Sequence, residues 1–160
     1  AVSQGPGSYT GLRIGVSAAK GLCYALSIPL IAVDTLQALA SKVKIDKGLI
    51  VPMIDARRME VYSAVFFTSL EKKREVLAEV ITESSFEDIE ETVYFVGDCN
   101  EKCKSVLTKD NFVFLEDIKY PSANEMSALS FDKYKKSDNV DVAYFEPYYL
   151  KDFLMTTPKK

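Results

Sequence analysis

Three stretches of this chain combine residue types that could do chemistry. Asp55, Arg57 and Glu60 gather a carboxylate, a guanidinium and a second carboxylate around one turn. Such a set could hold a ligand or orient a water, but an Asp–Arg pair at a turn also braces two strands by a bidentate ion pair. Acid–base work would need a pocket and a shifted pKa as well, so the structural reading is preferred and no residue is given a catalytic role. Gly5, Gly7, Ser8 and Thr10 belong to a Gly-Pro-Gly turn that opens directly into a helix. Free N–H groups and the helix dipole there point the same way, which makes the turn an anion-binding candidate as well as a tight strand-to-helix connection. It lacks the lysine of a Walker motif. Cys99 and Cys103 have a C-x-x-x-C spacing, yet zinc wants four ligands and none of the 160 residues is histidine. We read the cysteines as incidental and expect no metal site.

The elements that must position these groups alternate between helix and strand. Residues 8–26 predict a helix, capped by Ser8 or Thr10, with Leu12, Val16, Ala19, Leu22 or Cys23, and Leu26 as an apolar stripe. Beside it runs a stripe of small residues, Gly11, Gly15, Ala18 and Ala25. Glycine inside a soluble helix costs about 1 kcal/mol against alanine, so close approach of another backbone is expected, either the protein's own sheet or a partner helix. Residues 28–33 predict a strand covered on both faces, and 35–42 a short helix. A boundary is expected near 43–48. Beyond it come strands at 49–54 and 60–68, a charged hairpin tip at 72–74, an edge strand at 75–81, and strands at 93–96 and 112–115 flanking a helix at 100–107. On the 60–68 strand, Tyr62, Ala64 and Phe66 should face opposite to Val61, Val65 and Phe67. Ser122 and Glu125 form a capping box that opens a helix to about 135. The pattern as a whole is α/β with a mixed sheet.

The stretch from Gly5 to Leu22, G-P-G-S-Y-T-G-L-R-I-G-V-S-A-A-K-G-L, resembles the signature of the bacterial TsaB (YeaZ) family. The resemblance continues through Ile28-Pro29, Asp34-Thr35-Leu36, Asp55-Ala56-Arg57, Glu60-Val61-Tyr62 and, weakly, Pro147 with Tyr149-Leu150. It implies a two-lobe actin/Hsp70-like fold with mixed sheets flanked by helices. Residues 1–44 would be a remnant of the first lobe, and 45–160 the second lobe with its C-terminal segment returning to the first. The family pattern carries strands and a helix ahead of the signature, so the resemblance also implies an incomplete first lobe and a tendency to self-associate.

The same resemblance implies a non-catalytic subunit of the machinery that makes threonylcarbamoyladenosine in tRNA. Its partners would be a TsaD-like catalytic subunit and a TsaE-like ATPase. ATP and a metal belong on those partners, with no cofactor on this chain. The expected partner surface is Gly11, Leu12, Gly15, Val16, Ala18, Ala19 and Leu22 on the first helix. Alone, the chain would be a homodimer, and it would reach tRNA only through the complex. A net charge of −3 fits that last point, because unaided nucleic-acid binding needs clustered cations. The competing class is an enzyme, a glycoprotease-like peptidase or a small ATP-dependent enzyme. The lack of histidine removes Ser-His-Asp and Cys-His catalysis and the histidine pair that holds metal in the family's catalytic relatives. Apolar content of 48% and charged content of 27% are ordinary for a globular domain, no run is long enough to cross a membrane, and three cysteines fit a reducing cytoplasm.

Overall fold

A computed structural model describes residues 1–150. Strand β1 (Val2–Gly5) runs through the Gly-Pro turn into helix α1 (Tyr9–Leu26), which leads to β2 (Ala32–Asp34), and β1 and β2 pair in parallel. Helix α2 (Thr35–Ala40) follows without a break. Strands β3 (Leu49–Asp55), β4 (Glu60–Phe66) and β5 (Lys72–Val80) then form an antiparallel meander. Strand β6 (Val93–Gly97) joins the far side of β3 in parallel and is itself flanked by β7 (Phe112–Phe114), which gives the order β5-β4-β3-β6-β7. Helix α3 (Asn100–Lys104) connects β6 to β7, and α4 (Ala123–Lys135) follows. The mixed sheet flanked by helices is the architecture that the alternating pattern predicts.

The five-stranded sheet is covered on both faces, which is why β3 and β4 read as continuous apolar runs. On one face, Leu36, Leu39 and Ala40 of α2 pack with Ile50, Ala64, Phe66, Val76 and Val96. On the other, Val51, Met53, Val61, Val65 and Phe95 pack with Phe86, Ile89, Cys99, Cys103 and Leu107. Ala64 and Phe66 thus face opposite to Val61 and Val65, as their alternation requires. Pro52 sits inside β3 without a donor to offer, and the β3–β4 pairing skips Val51 and Pro52 to resume at Met53. Gly97 closes β6 at φ +137, where an added Cβ would lie 1.7 Å from the Met53 carbonyl oxygen, so only glycine fits.

Helix α2 belongs to both layers. Its Ala38 turns away from the large sheet to meet Ile31 and Val33 of the small one, with Met126 and Leu129 of α4 behind. Residues 140–148 also lie against the small sheet: the Val140 N–H donates to the Leu30 carbonyl at 2.9 Å and the Tyr148 N–H to that of Gln4 at 2.7 Å.

Several boundaries differ from expectation. The 28–33 strand shortens to β2, because Ile28 and Pro29 are exposed and only Leu30 onward is buried. Helix α3 stops at Lys104, short of the expected 107. The charged tip at 72–74 is a correction of a different kind. The turn lies at 67–71, where Leu70 takes φ 66, and Lys72 and Arg74 are inside β5. The Lys72 ammonium reaches the buried Asp34 carboxylate at 3.0 Å, while Arg74 pairs with Glu79, bonds Ser63 and stacks over Phe86. These cations satisfy groups on the sheet instead of decorating a solvated loop.

Asp34 is the N-cap of α2, and one of its oxygens accepts from the Leu36 and Gln37 N–H groups at 2.8 and 3.1 Å. Burial alone would lower the Lys72 pKa, but Asp34 and then Glu75 outweigh it and raise the value above that of an ordinary lysine. The raised lysine value means that the pair's contribution is lost as pH rises through it. Asp34→Asn keeps a competent cap and should cost about 1 kcal/mol; Asp34→Ala removes cap and pair together and should cost about 2 to 3 kcal/mol. Urea midpoints of the two variants, compared at neutral pH, check the order and the gap.

Candidate functional site

Helix α1 begins where the sequence places it. Ser8 is its N-cap and accepts from the Gly11 N–H at 3.3 Å, and Ser27, in the left-handed region at φ 52, ends it. The preceding turn is closed over. Gly5, at φ +110, donates its N–H to Thr35 Oγ1 at 3.1 Å, and an added Cβ there would lie 2.9 Å from the Tyr148 carbonyl oxygen. Of the anion-binding candidates Gly5, Gly7, Ser8 and Thr10, two are thus already engaged: Gly5 by Thr35 and Ser8 by the helix it caps.

The residues proposed as one partner surface divide between two faces of α1. Val16 is 3% exposed and faces the core with Cys23, while Leu12 and Ala19 are half-buried on the same side. Gly11, Ala18 and Leu22 face outward, joined by Ile14, Ala25 and Leu26; Ile14 and Leu22 are 66% and 62% exposed. Gly15 lies at the margin. Leu12, Val16 and Ala19 therefore leave the candidate surface, because an i, i+4, i+7 set cannot face the sheet and a partner at once. Ile14, Ala25 and Leu26 enter it, and the signal that could have found them is the run of small and aliphatic residues half a turn from Val16. An added Cβ at Gly15 or Gly21 would meet nothing within 4 Å. Among the described residues, no packing requires a glycine at 15 or 21.

The Asp55 cluster is held differently from the expected Asp–Arg brace. The cation on Asp55 is Lys102 of α3, and Arg57 contributes only its backbone N–H, 2.8 Å from Asp55 Oδ1. Lys102 also donates to the Arg58 and Glu60 carbonyls at 2.7 and 3.1 Å, and Asp98 accepts the Asp55 N–H at 2.9 Å. Lys102 thus pins a tip at which Arg57 and Arg58 adopt φ 78 and 54, positions costly for residues with a Cβ. Sequence reasoning missed Lys102 and Asp98, since nothing local links α3 to the β3–β4 turn. Hydrogen bonding from Lys102, and then from the Arg57 N–H, holds the Asp55 carboxyl below its ordinary value.

Cys99 and Cys103 lie together in the core at the start of α3, where hydrogen bonding to Cys103 and burial push the Cys99 thiol far up. Among the described residues no three His, Cys, Asp or Glu side chains gather where they could share a metal, and no helix is long and apolar enough to cross a membrane. A concavity of about 410 Å³ beside α4 is lined by Pro29, Ile31, Tyr134, Lys135, Ser137 and Asn139. Its single cation, Lys135, is paired with Asp132.

A two-sheet α/β fold of this kind, with a glycine-rich turn feeding a surface helix, is that of the family described as TsaD: tRNA N6-adenosine threonylcarbamoyltransferase, which matches residues 1–155. A crystal structure titled an uncharacterized protein with similarity to peptidase YEAZ, from Pseudomonas aeruginosa, superposes with a TM-score of 0.78 at 22% identity, over 93% of this chain and 71% of that one. More specific likeness is to the tRNA threonylcarbamoyladenosine biosynthesis proteins TsaB of Bacillus subtilis and Escherichia coli. The first is 31% identical over 94% of this chain and 68% of its own length; the second is 29% identical over 95% and 70%. The chain belongs to the TsaB family.

Because the folded Asp55 pKa is depressed, its pairing stabilises the protein above the ordinary carboxylate range, and that contribution is lost as pH falls through the lowered value. Nearly half of the side chain is exposed, so the gain stays below about 1 kcal/mol. Asp55→Asn or Lys102→Met should therefore lower the Tm slightly at neutral pH and leave it nearly unchanged well below about pH 4, so that the variant profile is flatter on its acid side. Thermal melts at half-unit pH steps measure this.

Proposed function

We propose that this chain is a non-catalytic subunit of the assembly that makes threonylcarbamoyladenosine in tRNA, and that it docks a TsaD-like catalytic subunit through the outward face of α1. The pathway reading rests on the TsaB relatives named above. The observation that carries the docking reading is a solvent-facing helical surface, Gly11, Ile14, Ala18, Leu22 and Ala25, on which Ile14 and Leu22 are large exposed aliphatics. Small residues let two helix backbones approach closely, and flanking aliphatics bury area at about 25 cal/mol per Å². ATP and metal chemistry then belong to the TsaD-like and TsaE-like subunits, tRNA is met through the complex, and the cytoplasm is the compartment where that tRNA lies. Without a partner, the same α1 face supports a homodimer.

The enzyme reading has less to stand on. With no histidine in the sequence, neither histidine-dependent hydrolysis nor the metal pair of the catalytic relatives has its residues. In the polar cluster, the Asp55 carboxylate is paired with Lys102 and accepts the Arg57 N–H.

Two measurements test the proposal. Ala18→Arg and Leu22→Arg should each lower affinity for the TsaD-like subunit by at least about 100-fold while keeping the wild-type Tm, because a bulky charge would be trapped only in the complex. Val16→Arg should lose both, costing the fold several kcal/mol, roughly 3 or more. Binding retained in both outward variants would defeat the docking reading. Separately, purified protein should hold no stoichiometric zinc or iron and show no chelator-sensitive peptide cleavage; either finding would overturn the non-catalytic assignment.

A further inference from the structure

Cys99 and Cys103 are a pair of nucleophiles set side by side in the core. Cys99 is the N-cap of α3 and makes no side-chain cap bond, and the Cys103 N–H donates to the Cys99 carbonyl at 3.0 Å, which closes the first helical turn. That turn places both side chains on one face, against Phe95 and Leu107, at 2% and 0% exposure. Hydrogen bonding between the thiols raises Cys99 and lowers Cys103, and Lys102 also favours the Cys103 thiolate, against burial and Asp55. Cys23 differs from this pair: it is buried on α1, and its thiol donates to the Pro29 carbonyl at 3.6 Å.

A disulfide cannot close on this turn as it stands. Side chains four residues apart on a helix keep their Cβ atoms about 5 to 6 Å apart, whereas a disulfide needs about 3.5 to 4.5 Å. Drawing the sulfurs together therefore distorts the turn and costs it the Cys103-to-Cys99 backbone bond. Helix α3 has only five residues, and its first turn lacks a side-chain cap. Such a turn opens locally at small cost, which also admits a small oxidant to the two sulfurs.

Lys102 lies in the same turn, directly before Cys103, and is the cation that closes the β3–β4 hairpin. Its ammonium pairs with Asp55 and donates to the Arg58 and Glu60 carbonyls at 2.7 and 3.1 Å. The tip that it holds carries Arg57 and Arg58 at φ 78 and 54, a strained loop that leans on this anchor.

We propose that Cys99 and Cys103 form a reversible dithiol–disulfide switch, and that closing the disulfide distorts the first turn of α3 and draws Lys102 away from the β3–β4 tip. With a peroxide as oxidant the step balances. The Cys103 thiolate attacks one peroxide oxygen; an S–O bond forms, the O–O bond breaks, and hydroxide leaves to take the proton that Cys103 gave up. The Cys99 sulfur then attacks the sulfenic sulfur; the S–S bond forms, the S–O bond breaks, and the departing hydroxide takes the Cys99 proton as water. Two electrons pass from the thiols to the peroxide, and a small-molecule dithiol returns them. In a reducing compartment the open dithiol is the resting form. The switch does not depend on the α1 docking reading.

The test uses the full chain, treated with hydrogen peroxide under native conditions, then freed of peroxide, unfolded and alkylated. Trypsin cuts after Lys102 and so separates the two cysteines, which lets the disulfide be read as two joined peptides. The intact mass should fall by two hydrogens with Cys23 alone alkylated, and dithiothreitol should restore the starting mass. Hydrogen exchange at the Ala56 and Glu60 N–H groups, each closing the tip by a bond of 3.1 Å, should quicken in the oxidised protein and recover on reduction. The expected change is about tenfold or more. Lys102→Met should show the faster exchange already when reduced, and oxidation should add little to it. Cys103→Ser should give neither the joined peptides nor the change in exchange, and Cys103→Ala serves if the serine variant does not fold. Recovery of Cys99 and Cys103 as free thiols, or joined only to Cys23 or to a second chain, overturns the switch. Joined peptides with tip exchange unchanged, or an equal quickening in wild type and Lys102→Met, overturn its coupling to the hairpin.

Discussion

One carboxylate holds the two sheets of this protein in register. Asp34 ends β2 and begins α2 with no residue between, so the strand and helix axes are fixed at a single position. One of its oxygens caps the helix and the other takes the ammonium of Lys72 from the edge of the five-stranded sheet. The residues on either side extend the same junction. Thr35 Oγ1 reaches back to Ser3 and to the Gly5 N–H, Leu36 fills the core under the large sheet, and the Gln37 amide donates to the Leu70 carbonyl at 3.1 Å. Asp34, Thr35 and Gln37 thus make contact with β5, β1 and the β4–β5 turn respectively. A charge buried to this degree is tolerable because every polar atom around it is spent on a defined bond.

What the sequence revealed and what it hid follow from how far apart the interacting residues lie. The β3–β4 meander, the capping box before α4 and the helix from the Gly-Pro turn are local patterns, written in periods of two and three-to-four residues, and all are present. Three consecutive cations at 72–74 look like a charged hairpin tip, yet Lys72 and Arg74 lie in β5. Their partners Asp34, Glu79 and Ser63 come from other strands, and no local rule connects them. Asp55 was given the nearest cation in sequence, Arg57, when the cation that reaches it is Lys102 on α3. The pairing of β3 with β6 brings the two carboxyl ends together, so the correct partner emerges only once strand order is known. Asp34 was the more legible of the missed residues: an aspartate directly before an apolar helical run is an N-cap signal.

Helix α1 shows the same division more sharply. Its sequence contains two apolar stripes, and periodicity alone cannot say which one the sheet takes. Both are long enough, and both are free of charge. The structure decides by volume. Leu12, Val16 and Cys23 fill the side toward β1 and β2, and the side of Gly11, Ala18 and Ala25 is left bare. A helix that only covered its own sheet would gain from a polar outer surface, which favours solubility, and from alanine in place of glycine.

That choice bears on where function resides in the molecule. Of the groups suited to chemistry, Asp34 and Lys72 join the sheets, the two neighbouring cysteines pack with Phe95 and Leu107, and the half-exposed Asp55 pairs with Lys102 at a hairpin. Each is spent on stability. Among the groups left exposed is the aliphatic face of α1, with Ile14 and Leu22. The outward face of α1 is aliphatic and free of acids, the kind of surface that a second helix can cover. The glycine-rich turn fits this picture. Its Gly5 donor goes to Thr35 and the space beside Gly5 to Tyr148, so this backbone ties the start of α1 to α2 and to the 143–149 segment.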